Sequence, residues 1–267
     1  MKALILILAG ALAFAQAQKT FDTPEAAAHA LIDATAANNT PELNAIFGPQ
    51  GKSILTSGDE VKDKAEQQEF AKIAKTKYAL QRDSMDPDRM ILSVGEDDWP
   101  FPAPIVKKSG KWMFDTSMGA EAMKARRIGA NELDAIEVCA GVVGAQQAYA
   151  ERSATHTYSA TLGGLEPDVP RAFASATGST AKPYHGYYFA LLKSQGPSSP
   201  GGSKNYVVKD SLMGGFALVA WPAQYGVTGV HTFIVNQDGV VYEKDLGAHA
   251  TAPVTTYNPD STWRTVN

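Results

Sequence analysis

Sulfur and imidazole are scarce in this chain. One cysteine, Cys139, and five histidines serve 267 residues. A single cysteine excludes a disulfide within the chain, so stability must come from a packed core. The histidines (His29, His156, His185, His231, His249) stand singly, with no H-E-x-x-H or C-x-x-C spacing, so the pattern predicts no metal site and no cofactor. Basic residues are not in excess either: 24 Lys and Arg face 28 Asp and Glu, for a net charge of −4. A mixed, mildly acidic surface excludes the Lys/Arg-rich face that nucleic acid demands. Long apolar runs are missing as well. The longest after residue 17, Gly215 to Pro222, has strand length, well short of the roughly 20 residues a membrane-spanning helix needs. No G-x-S-x-G and no glycine loop ending in G-K-[ST] occurs, which removes the nucleophile elbow and the phosphate loop.

What is present begins with Met1-Lys2 and an apolar stretch from Ala3 to Ala15. Two small-residue patterns follow, Ala13-Phe14-Ala15 before Gln16 and Ala15-Gln16-Ala17 before Gln18. A positive start, an apolar region of about a dozen residues and an A-x-A site predict a cleavable signal peptide over residues 1–17. The expected location is periplasmic or secreted, with no membrane span left after cleavage.

The remainder predicts an α+β chain in two parts, residues 18–127 and 128–267. Thr23-Pro24-Glu25 opens a helix, with a capping hydroxyl, a proline in the first turn and an acid at the positive end of the dipole. A second helix starts at Thr40-Pro41-Glu42, and a third is expected over Asp59 to Ala79. Short strands follow at Met90–Val94, Ile105–Val106 and Lys111–Phe114, with turns at Gly95–Asp98 and Lys107–Gly110. The second part is expected to be a long helix from Asn131 to Glu151, with Leu133, Ile136, Ala140, Val143 and Gln147 along one face. Strands at Tyr187–Leu192, Gly215–Trp221, His231–Val235 and Val240–Lys244 then make an antiparallel sheet.

The order of elements in the first part resembles the cone-shaped ketosteroid-isomerase-like fold, in which helices fill the mouth of a bent sheet. In the second part, the helix from Asn131 to Tyr149 and the strands at Gly186–Phe189, Phe216–Pro222, Gly229–Val235 and Asp238–Tyr242 resemble the globular heads of type IV pilins and type II secretion pseudopilins. That likeness covers Ile128 to Gly247. The helix start, Asn131-Glu132, carries no apolar stalk, so the likeness implies a head without filament assembly. The whole chain after the leader resembles the bacterial family described as domain of unknown function 2950. The residues concerned are Thr23-Pro24-Glu25, Ser57-Gly58-Asp59, Trp99-Pro100-Phe101-Pro102, Trp112–Asp115, Arg126–Leu133, Pro183–Tyr188 and Val240–Gly247. This resemblance transfers no activity.

Two aromatic segments are candidates for a partner or ligand surface. Trp99-Pro100-Phe101-Pro102-Ala103-Pro104 must be an edge strand or extended loop, since its prolines cannot donate to a sheet. Trp99 and Phe101 either dock another chain or pack over the end of the first domain. In Tyr184-His185-Gly186-Tyr187-Tyr188, strand alternation puts Tyr184 and Tyr188 on one face, His185 and Tyr187 on the other. Either face is a docking patch, or the tyrosines are half-buried strand residues. Arg126-Arg127 near Glu132 and Asp134 reads as salt bridging or as acids at a helix start. Cys139, between Val138 and Ala140, reads as a small buried apolar residue rather than a reactive thiol. The expected function is an exported envelope protein with a non-catalytic binding or scaffolding role towards another envelope protein. The alternative is a small-ligand-binding or isomerase-like domain in the cone, with Asp115 and Tyr78 as its acid–base candidates.

Overall fold

The computed structural model describes residues 17–56, 60–174, 182–248 and 254–266, with the side chains of 60–62 left aside. Residues 1–16 of the expected leader, Ser57-Gly58-Asp59 and His249 lie outside the described residues. The chain falls into two compact units divided between Met123 and Lys124.

In the first unit, helix α1 (Pro24–Ala36) is capped as its sequence requires: the Thr23 hydroxyl accepts from the Ala26 N–H at 3.1 Å. Helix α2 (Thr40–Phe47) is capped by Asn39, whose side chain accepts from Glu42 N–H. A single turn, α3 (Lys52–Leu55), and helix α4 (Glu60–Thr76) follow. The third helix therefore stops short of the expected Ala79, and Tyr78–Arg82 is strand β1. Good helix formers there yield to pairing with β2 (Arg89–Val94), in register from Tyr78 opposite Val94 to Arg82 opposite Met90. β3 (Trp99–Pro100), β4 (Ile105–Lys108) and β5 (Lys111–Phe114) complete an antiparallel sheet in the order β1-β2-β4-β5, with β3 also on β2. Leu31, Leu43, Ile46, Phe47, Leu92, Ile105 and Phe114 form the core against which α1 and α2 pack.

Helix α5 runs from Thr116 to Arg152, 37 residues, so it begins well before the expected Asn131. Nothing in Arg126-Arg127-Ile128-Gly129 breaks it. Its buried residues are Ala135, Cys139, Val142, Val143, Ala145 and Gln146; of the expected face Val143 is among them and Ile136 packs against the core, whereas Ala140, Gln147 and Leu133 (69% exposed) face away. The small residues among them let the helix approach the bulky Phe189 and Phe233 of the sheet. Gln146 is buried because its carboxamide donates to Ser159 O at 3.0 Å and accepts from Ser159 N–H at 2.8 Å.

After the single-turn α6 (Arg171–Ala174), the second unit's main sheet begins with β6 (Tyr187–Leu192). The connection to β11 carries two small ribbons, β7 (Ser194–Gln195) with β8 (Lys204–Asn205), and β9 (Val207–Val208) with β10 (Ser211–Leu212). β11 (Ala217–Pro222), β12 (His231–Asn236), β13 (Tyr242–Asp245) and β14 (Arg264–Thr265) give the antiparallel order β14-β13-β12-β11-β6. Alternation along β11 and β12 sends Leu218, Ala220, Phe233 and Val235 to the α5 side. Ala217, Val219 and Ile234 face a second core with Tyr206, Leu212 and Tyr257. Both faces of this sheet are thus covered, and the chain is α+β.

Candidate functional site

The groove beside helix α5 is built by a turn the sequence pattern did not announce. Tyr184 and Tyr187 exchange both backbone hydrogen bonds, at 2.9 and 3.0 Å, so His185 and Gly186 are the centre of a two-residue hairpin. Both have positive φ, 47° and 76°, as a turn matching the strand twist requires. The expected alternation of Tyr184 with Tyr187 on a continuous strand is therefore interrupted, and the strand proper starts at Tyr187. Position 186 must be glycine twice over: a Cβ there would lie 2.5 Å from Asn131 Nδ2 and 3.0 Å from Thr228 Cβ.

Polar residues on one segment of α5 hold this hairpin and the loop before β12. Asn131 Nδ2 donates to Thr228 O at 2.8 Å. Glu132 Oε1 accepts from the Val230 N–H at 2.8 Å and the His231 N–H at 3.0 Å, and lies 3.2 Å from His231 Nδ1. Asp134 is hydrogen-bonded to His185 Nδ1. Glu132 and Asp134 thus serve neither as a helix start nor as partners awaiting Arg126 and Arg127. They fasten sheet turns to a helix interior. Tyr187, fully buried, donates its hydroxyl to His231 O at 3.0 Å. Burial, followed by the nearby Glu132 carboxylate, pushes that phenol far above its ordinary pKa. Gly229 makes room for it, since a Cβ there would sit 2.1 Å from the hydroxyl.

Beyond the hairpin lies a groove of about 270 Å³. Its apolar floor comes from Val138 and Val142 of α5, from Val169, and from Phe173 and Tyr184, whose rings meet edge to face at 5.9 Å. Gly141 keeps one wall low; a Cβ there meets nothing within 4 Å. The rim is acidic: Asp134, Glu137 and Asp168, with His185 on Asp134 and Arg152 ion-paired to Asp168. Such a site can hold a cation whose neighbouring atoms are apolar.

The other candidates fall elsewhere. Trp99 lies opposite Val94 on β3 in the first unit and is 50% exposed. Phe101 instead packs with Phe47, Phe70 and Phe114, at centroid distances of 6.1, 5.3 and 5.9 Å. Tyr184 and His185 reach the groove, their rings 4.2 Å apart, whereas Tyr187 lies in the core beneath it. Asp115 caps α5, its Oδ1 accepting from Met118 N–H at 3.0 Å. Tyr78 is 36% exposed, with its hydroxyl 2.9 Å from His29 Nε2. Neither lines the first unit's open depression of about 420 Å³, which lies between α1 and α4. Cys139 is completely buried, and desolvation pushes its thiol up to about 12. The acidic run from Asp83 to Asp88 is a turn closed on Arg89, which is 3.3 Å from both Asp83 and Asp86. Among the described residues, no three His, Cys, Asp or Glu side chains are grouped to hold a metal, and no helix is long and apolar enough to cross a membrane.

Fold and groove together define a two-unit α+β protein with a shallow, acid-rimmed cleft on the second unit. The chain belongs to the family described as protein of unknown function (DUF2950), whose sequence profile matches residues 18–162 and 159–266. No curated protein and no solved structure matches it.

Proposed function

We propose that this protein is exported, loses its leader, and works in the periplasm or outside the cell as a binding protein. Its partner is a basic, partly apolar segment of another envelope protein, held in the α5 groove. The observation that carries this is the pairing of an apolar floor with a rim of three carboxylates and a half-exposed histidine. Three carboxylates against the one guanidinium of Arg152 leave the rim net acidic around a desolvating floor, which favours a positive charge on a ligand with an apolar stem. Export is supported by the leader's positive start, apolar run and small-residue sites. A binding role is supported by the commitments of the reactive groups: Cys139 and Tyr187 are sealed in the core, Asp115 caps a helix, and Glu132 is occupied by backbone N–H groups. A stalkless pilin-like head fits the same role. One apolar face of α5 lies on a five-stranded antiparallel sheet, while its extension back to Thr116 carries Glu121, Lys124, Arg126 and Arg127 in place of an apolar stalk.

The test is a titration of the mature chain with a fluorescent peptide of alternating Lys and Leu. Binding is expected to weaken as salt rises, and Glu137→Lys is expected to weaken it about tenfold, equivalent to about 1.4 kcal/mol. Equal affinity for a Ser-Leu peptide of the same length, or indifference to Glu137→Lys, would contradict the assignment.

A further inference from the structure

The edges of the first unit's sheet differ in what guards them. The outer edge of β5 is covered by the chain itself: Phe21 N–H donates to Trp112 O at 2.7 Å, and Trp112 N–H to Phe21 O at 2.8 Å. β3 is two residues long and ends in Pro100, so little of it can take a further strand. β1 has neither protection. Its five residues, Tyr78-Ala79-Leu80-Gln81-Arg82, contain no proline, no glycine and no bulge in their register with β2. Among the described residues, no strand lies on its other side. An edge strand left in this state is a template for another strand.

The hydrogen bonds at the two ends of the β1–β2 ladder show which backbone groups are free. Gly95 N–H donates to Lys77 O at 2.9 Å, and Asp83 N–H to Arg89 O at 3.0 Å. Alternation between those ends turns Lys77, Ala79, Gln81 and Asp83 towards β2, and the N–H and C=O groups of Tyr78, Leu80 and Arg82 outwards. Gln81 and Arg82 are exposed, and the half-exposed Tyr78 is held against α1, its ring edge-on to His29 at 5.5 Å.

This strand is complementary to itself. An antiparallel copy placed two-fold about Leu80 pairs all five residues, Leu80 with Leu80 and each Tyr78 with Arg82 of the second copy. Each guanidinium then meets an aromatic ring instead of its like. One step further, Lys77 falls opposite Asp83 of the second copy, so unlike charges close both ends. Other centres pair fewer of the outward groups, and a centre at Arg82 sets two arginines directly opposite each other.

We propose that β1 is a dimerisation edge: two copies of this chain pair through Tyr78–Arg82, antiparallel and centred on Leu80, and join two five-stranded sheets into one. The interface is isologous and closes at two copies.

The test is the mass of the mature chain, by light scattering and sedimentation at rising concentration. A dimer is expected. Tyr78→Arg places an arginine opposite Arg82 at both ends, and is expected to raise the dissociation constant about tenfold. Tyr78→Arg combined with Arg82→Glu is expected to restore the dimer, which separates a lost contact from a lost fold. Ala79→Cys with Gln81→Cys puts thiols on a non-hydrogen-bonded pair between the copies, and oxidation is expected to lock the dimer covalently. A chain that stays monomeric at every concentration would overturn the proposal and leave this edge to a strand from another protein. A dimer indifferent to Tyr78→Arg would place the interface elsewhere. A dimer that the double charge variant fails to restore, or that the cysteines fail to lock, would overturn the register.

Discussion

At the scale of single residues, the second unit depends on a few polar side chains placed where apolar packing alone would leave backbone groups stranded. Glu132 is the clearest. Its carboxylate takes the N–H groups of Val230 and His231, which otherwise face the flank of a helix with no acceptor. Glu132→Ala is expected to cost about 3 kcal/mol, the cost of leaving partly buried donors unpaired, and Glu132→Gln about 1 kcal/mol, because an amide oxygen still accepts; urea unfolding reads both. Cys139 gives a different signature. With its thiol pushed up to about 12 by burial, the folded chain keeps a proton that the unfolded chain releases near the ordinary thiol value of about 8.5. Stability attributable to this group is present below that value and falls as pH rises towards 12. At about pH 8 a thiol reagent is expected to label Cys139 only as fast as the protein unfolds, and fully in denaturant. Labelling of the native protein at the rate of a free thiol would contradict its burial. Trp99 and Phe101 separate at this scale as well. Phe101→Ala is expected to cost about 2–3 kcal/mol, since it leaves a gap among Phe47, Phe70 and Phe114, whereas Trp99→Ala is expected to cost less than about 1 kcal/mol.

At the scale of elements, two hairpins of the same kind show what a sequence discloses. Ser109-Gly110 and His185-Gly186 both carry paired positive φ values. The first was legible, because Lys107-Lys108-Ser109-Gly110 is a polar run between two short apolar ones. The second was not, because it is embedded in aromatics that read as one continuous strand. A matched pair of variants measures the difference. At Gly110 an alanine meets only backbone strain, for nothing lies within 4 Å of the new Cβ, and about 1 kcal/mol is expected. At Gly186 the new methyl also strikes Asn131, and the expected cost is about 2–3 kcal/mol with partial loss of the groove. The face of α5 was misplaced in part, Val143 and Ile136 apart, for a related reason. Leu133 and Ala140 have the composition of a core stripe, but the sheet beneath is bulky and selects the small residues Ala135 and Cys139. Strand β1 was missed because Tyr78–Arg82 has no alternation of its own; its partner β2 supplies the conformation.

At the scale of the whole molecule, the α+β class and the family were both readable, because helix starts, turn residues and apolar strands agree locally with the fold they enter. The groove was not. Its acids come from α5 and from the segment at Asp168, which no periodicity connects, and only the turn at His185 brings its aromatic wall into place. Of the two aromatic segments the sequence singled out, one supplies Tyr184 and His185 to that groove, while the other divides between a core residue and an exposed indole. The claim that binding occurs on the second unit can therefore be tested by direct comparison of these two positions. A photo-reactive benzoyl-phenylalanine is placed at Tyr184 or at Trp99 in the exported protein, and living cells are irradiated. The expected result is a cross-linked envelope protein from position 184, joined through a peptide rich in Lys or Arg, with none from position 99. Cross-linking from Trp99 and none from Tyr184 would move the binding surface to the first unit and contradict the assignment of the groove.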